Sequence, residues 1–133
     1  MSQRFFDIGP VGNGRLLIGP RPQSETLAEW VCEAAEHKID HFVSLVEEIE
    51  VERYALGDEG DELARNGIGF TRFPIHDFDI PDGGAFRSLV DDLGRKLASG
   101  QTLFLHCAGG VGRAGTTAAC LMVENSWKPD AAM

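Results

Sequence analysis

The sequence predicts an α/β domain built on a central, mainly parallel sheet of about four to five strands flanked by helices. Three observations point there. Short apolar runs alternate with amphipathic stretches, the order that βαβ units require. One of those runs, Thr102–Leu105, passes directly into a glycine-rich segment and then a helix. No repeat or linker interrupts the 133 residues, which suit one domain with a real core.

Leu16–Ile18 reads as a first strand that ends at the turn Gly19-Pro20-Arg21-Pro22. Ser24 is placed to cap a helix in which Leu27, Trp30, Val31, Ala34 and Ala35 recur at helical spacing. His41–Val46 is a second strand. The acidic stretch Glu47–Asn66 is weakly periodic and reads as a partly helical connection broken at Gly57 and Gly60, with Gly67 ending it. Ile68–Phe73 is a third strand. Pro74–Gly84, PIHDFDIPDGG, has two prolines and no periodicity, the composition of a surface loop. Phe86, Leu89, Val90, Leu93 and Leu97 mark the buried stripe of a helix ended by Gly100. Thr102–Leu105 is a short apolar strand, and Ala114–Ser126 a largely buried helix. Cys32 and Cys120 fall at apolar helical positions and read as core.

A net charge of −9 argues against nucleic acid or an anionic membrane as partner. No apolar run approaches the ~20 residues that span a bilayer, and the N-terminus lacks the apolar stretch of a secretory signal. Three unevenly placed cysteines make no disulfide framework, so a reducing cytoplasm is the expected compartment. No cofactor or metal is expected. Asp77-x-Asp79 resembles the opening of a calcium loop, but Pro81 replaces a ligand and residue 88 is Ser where the loop needs Glu.

The segment HCAGGVGRAGT, His106–Thr116, carries the chemistry. Strand, glycine-rich turn and helix together present backbone N–H groups and a helix N-terminus to phosphate. Gly110–Gly115 matches GxGxxG, but only residues 116–133 follow, too few for the second strand and the acidic residue about 20 positions on. A nucleotide-binding P-loop would need a lysine after Gly115, where Thr116 stands. Cys-x5-Arg, from Cys107 to Arg113, accounts for every unusual residue. Ala108, Gly109, Gly110, Val111 and Gly112 are small enough to wrap a phosphate dianion, and Arg113 closes the ring with a planar fork. The same amides and helix dipole favour a thiolate at Cys107. A structural cysteine beside a tight turn is the plainer alternative. The preceding strand and histidine, the glycines and the following helix weigh against it.

With these residues in view, the chain resembles the cysteine-based protein tyrosine and dual-specificity phosphatase superfamily. His106-Cys107-Ala108-Gly109-Gly110-Val111-Gly112-Arg113 fits its HCxxGxxR signature, and the Gly109-Gly110 pair and upstream loop look most like the compact kinase-associated-phosphatase branch. The resemblance implies a three-layer phosphatase sandwich and a phosphocysteine intermediate on Cys107. It implies that Arg113 and the loop amides hold the phosphate oxygens. His106 would orient the loop and help keep the thiol ionised, and a loop aspartate would serve as general acid. Pro74-Ile75-His76-Asp77 with Pro81-Asp82 follows the family's order, which selects Asp77 ahead of Asp79 and leaves Asp82 to cap the next helix.

Two departures stand out. Ala114 occupies the position where the family has a Ser or Thr whose hydroxyl helps the thiolate leave, with Thr116 the nearest substitute. Residues 1–133 read as one phosphatase domain that stops short of the family's usual C-terminal helices. The expected substrate is a phosphotyrosine or phosphoserine/threonine protein. The phosphate loop lacks the lysine that inositol-lipid relatives often carry. A small phosphorylated metabolite, a phosphate-binding pseudophosphatase and a sulfur transferase are the competing readings.

Overall fold

The computed structural model describes residues 5–75, 83–107 and 112–126. Ten elements follow in chain order: β1 (Phe6–Val11), β2 (Gly14–Pro20), α1 (Leu27–Glu36), β3 (His41–Ser44), α2 (Glu48–Arg53), α3 (Glu59–Arg65), β4 (Gly69–Arg72), α4 (Gly83–Ala98), β5 (Thr102–Cys107) and α5 (Gly112–Ser126). The five strands form one sheet in the order β1-β2-β5-β3-β4, parallel except for the β1–β2 hairpin.

That order dictates the layers. The chain steps from β2 to β3 to β4 in one direction across the sheet, then turns back to insert β5 between β2 and β3. Parallel crossovers are right-handed, so reversing direction moves the crossover helix to the other face. Accordingly Leu27, Trp30, Val31 and Ala34 of α1 and Leu63 of α3 pack with Phe42 and Phe104 on one face. Leu89, Val90, Leu93 and Leu97 of α4 and Ala114, Ala118 and Leu121 of α5 pack with Val43, Leu103 and Leu105 on the other. The carboxyl ends of β2, β5 and β3 meet at the point of reversal, where α/β sheets place ligands.

The central strand β5 alternates its side chains between the layers: Leu103, Leu105 and Cys107 join the α4–α5 core, while Phe104 joins the α1–α3 core. His106 shares the Phe104 side, tilted against that ring at 6.0 Å and edge-on to Phe42 at 6.3 Å. Side chains in a strand alternate faces, so His106 and Cys107 point to opposite layers.

Several sequence expectations need correction. The antiparallel edge strand β1 was unanticipated. Its outer face is exposed and Gly9 and Pro10 interrupt it, so it carries no strand signal. Ser24 does not cap α1. It opens a 3-10 turn, Ser24–Thr26, its hydroxyl meets Glu25, and the helix starts at Leu27. Cys32 is exposed, on the outer side of α1. Gly60 is not a break but lies in the first turn of α3, where a Cβ would come within 3.0 Å of the Phe70 ring. Gly100 does end α4, at φ +96°, a conformation open to glycine. Among the described residues no helix is long and apolar enough to cross a membrane.

Candidate active site at the carboxyl edge of the sheet

Cys107 closes β5 and is 1% exposed, packed in the α4–α5 core beside Ala114. Arg113 lies in the first turn of α5 and is 7% exposed. The intervening Ala108, Gly109, Gly110 and Val111 lie outside the described residues, as do Asp77, Asp79 and Asp82, while Gly112 opens α5. The described structure therefore brings Cys107, His106, Gly112 and Arg113 to one end of one strand–helix unit.

Arg113 is held by two described partners through three hydrogen bonds. Its Nη1 donates to Glu50 Oε1 at 2.9 Å and to the Ile75 carbonyl at 2.8 Å, and its Nη2 donates to Glu50 Oε2 at 3.0 Å. This is a bidentate, charge-assisted fork, the strong class of protein hydrogen bond. Glu50 is itself fixed at the third position of α2, where its Oε1 accepts the Glu47 N–H at 2.8 Å in a capping box. The Arg113 guanidinium holds the Glu50 carboxyl below the ordinary carboxylate range. Burial opposes this, and the Glu47 N–H adds to the lowering. Ile75, at the start of the PIHDFDIPDGG loop, is anchored in turn by its N–H on the Leu45 carbonyl.

His106 is held from the other layer. Its Nε2 shares a 2.5 Å hydrogen bond with Oε2 of Glu59, and both side chains are fully buried. Nδ1 of His106, Oε1 of Glu59 and the Ser44 hydroxyl have no hydrogen-bond partner among the described residues. Ser44 is the residue beside His106 in the β3–β5 register.

Ala114 is fully buried against the Cys107 cluster. Thr116 is exposed and its hydroxyl donates to the Gly112 carbonyl at 3.0 Å, while the buried Thr117 hydroxyl donates to the Arg113 carbonyl at 3.0 Å. No cluster of three His, Cys, Asp or Glu side chains suited to a metal is present among the described residues.

Glu50 and Glu59 are the site residues that sequence reasoning missed. The Glu47-x-x-Glu50 spacing before a short helix carries a capping-box signal that could have placed Glu50. Glu59 had none, being one acid among many in the connection between β3 and β4.

Residues 6–133 match the family described as PTP-SAK, Swiss Army Knife protein, DSP-PTPase phosphatase domain. Cyclin-dependent kinase inhibitor 3 of Rattus norvegicus is 31% identical over 74 residues, 56% of this chain and 35% of that protein, so the match spans about a third of that relative's length. The structure of kinase associated phosphatase (KAP), with its catalytic site cysteine substituted by serine, is similar at a TM-score of 0.79 and 18% identity, covering 93% of this chain and 76% of that one. PTPMT1 in complex with PI(5)P is similar at 0.67 and 18%, covering 92% and 76%. At these identities both structures show the fold alone.

Proposed function

Because the chain belongs to the PTP-SAK family of DSP-type phosphatase domains, we propose that it hydrolyses phosphomonoesters of protein side chains, phosphotyrosine or phosphoserine/threonine, through a phosphocysteine at Cys107. The observation that carries this reading is the double clamp on Arg113. A buried guanidinium oriented by Glu50 and the Ile75 carbonyl is preorganised to hold phosphate oxygens beside the Cys107 thiol. Preorganised donors act chiefly on the charge that develops at the transition state.

In this mechanism the Cys107 sulfur attacks phosphorus in line with the leaving oxygen. Amides of 108–112 and Arg113 take the equatorial oxygens, and Asp77 protonates the leaving group. Asp77, then a carboxylate, accepts a proton from the water that splits the phosphocysteine and restores the thiolate. His106 fixes the strand end from the opposite layer. Its ring faces Glu59 rather than the thiol, so its influence passes through the backbone. Ala114 leaves the departing thiolate without the neighbouring hydroxyl, which slows the second step relative to the first.

The test is hydrolysis of a small aryl phosphate across pH by wild type and by Cys107→Ser, Asp77→Ala and Asp79→Ala. The reading expects activity in wild type, none in Cys107→Ser, and a loss of about 10²- to 10⁴-fold in Asp77→Ala alone. An inactive wild type, or full activity in Cys107→Ser, overturns it.

A further inference from the structure

Arg21 occupies the carboxyl edge next to the reaction site and bridges no carboxylate among the described residues. In the β2–β5 register Gly19 lies beside His106 and Pro20 beside Cys107, so Arg21 is the first residue past the strand that flanks the nucleophile. Neighbouring strands run about 4.8 Å apart. The Arg21 guanidinium lies 3.6 Å from the centre of the Tyr54 ring, a cation–π stack. Its Nη1 donates a 3.3 Å hydrogen bond to the Pro22 carbonyl.

Tyr54 ties this arginine to the site by a second route. It caps α2, and its N–H bonds the Glu50 carbonyl, one helical turn back. Residues four apart share a helix face, about 5–6 Å between Cβ atoms. Glu50 grips Arg113 and Tyr54 carries Arg21, so two guanidinium groups stand on successive turns of one face of α2.

The described arginines fall into two groups. Arg15, Arg65, Arg87 and Arg95 each bridge a carboxylate, whereas Arg53 and Arg72 bridge no described one and Arg72 lies over the Phe70 ring at 5.4 Å. Arg21 belongs with the second group and differs from Arg72 in its place beside Cys107. Arg21 forms no such bridge to any described residue, although the chain carries a net charge of −9. A half-buried cation kept apart from abundant carboxylates is available to an external anion. Stacking on the aromatic face orders the fork without occupying its N–H edge.

We propose that Arg21, supported by Tyr54, is a second anion subsite that selects substrates bearing another negative group near the scissile phosphate. The shared chemistry is a phosphate or carboxylate about one helical turn from the first. This inference rests on the phosphatase reading for its kinetics, but the subsite itself is a binding claim.

The experiment compares kcat/KM within two matched pairs, so that any general loss in a variant cancels. One pair is 1,3-phenylene bisphosphate against phenyl phosphate. The other is a phosphotyrosine peptide with flanking Asp against the same peptide with Asn. Wild type is expected to favour the more anionic member of at least one pair by about 10-fold or more, and Arg21→Gln to bring that ratio near one. The pair that responds identifies the source as a small molecule or an acidic protein segment. No preference in wild type, or a preference that survives Arg21→Gln, overturns the proposal. Should wild type turn over none of the four, the same ratios are read as Kd on Cys107→Ser protein. A preference there that Arg21→Gln removes keeps the subsite while the hydrolase reading falls, and equal Kd values overturn the subsite as well.

Discussion

Glu50 and Glu59 leave the same acidic connection after β3, yet they reach opposite layers and meet opposite conditions. Glu50 reaches over the carboxyl edge to Arg113, its side chain 12% exposed, and both its oxygens are engaged. Glu59 is sealed at 0% against His106, and one of its oxygens and one ring nitrogen have no partner among the described residues. Orphan buried polar atoms cost about 1–3 kcal/mol each, and native structures keep few without a reason. The contrast teaches that the arginine side is built from saturated hydrogen bonds, which fix direction. The histidine side is built by enclosure, which fixes position at a cost to stability.

Breaking the sealed pair should have the largest effect on stability. Glu59→Ala strands a buried imidazole beside a new cavity and is expected to lose about 2–5 kcal/mol, read as a fall in urea midpoint. Glu59→Gln keeps a hydrogen-bonding oxygen at the same place and should lose clearly less. Equal losses would show that packing, not the bond, holds His106.

Breaking the saturated clamp should instead appear in kinetics. Glu50→Gln removes the charge that aims Arg113, and charged hydrogen bonds contribute about 1.5–3 kcal/mol. The expected loss in kcat/KM is therefore about 10- to 100-fold, with a smaller change in urea midpoint than Glu59→Ala gives. A mutant with normal kinetics and lowered stability would reduce Glu50 to a structural brace.

Acid should separate the two regions further. Folding lowers the Glu50 affinity for a proton, so the clamp's contribution is fully present above the ordinary glutamate value. It is lost as pH falls through the lowered folded value. The difference in urea midpoint between wild type and Glu50→Gln should shrink over that window. His41 provides an internal control in the sheet. Burial, then Lys96, lowers its pKa against a smaller opposing pull from Asp92, and its Nε2 meets the Thr71 hydroxyl at 2.7 Å. The unfolded chain then binds the extra proton first, so stability declines as pH falls from the ordinary histidine value toward the lowered one. His41→Asn should remove that slope and leave the Glu50 window intact.

The smallest expected effect is at Ala114. Ala114→Ser places a hydroxyl in the buried cluster with Cys107 and should raise the steady-state rate by less than about tenfold, while the pre-steady-state burst shrinks. An unchanged burst would mean that the second step is not slowed by the missing hydroxyl.

How much of this was legible in the sequence depended on range. The α/β alternation, the strand into Cys107 and the Cys-x5-Arg spacing are local patterns, and Thr102–Cys107 and Gly112–Ser126 form where those patterns place them. The Arg113–Glu50 and His106–Glu59 pairs span 63 and 47 residues. No periodicity reports such separations, and an acid destined for full burial looks like its solvated neighbours. Cys32 failed for a related reason. Its spacing fits α1, but the buried stripe runs through Leu27, Trp30, Val31 and Ala34, and Cys32 falls outside it.

The central claim is that Cys107 carries the phosphoryl group. Rapid quenching of the wild-type protein with an aryl phosphate, followed by peptide mass spectrometry, tests it most directly. The account expects one acid-stable phosphoryl group on the peptide containing Cys107, formed within the burst and absent from Cys107→Ser. Product release with no phosphoryl group on that peptide, or with the group on another residue, would contradict it.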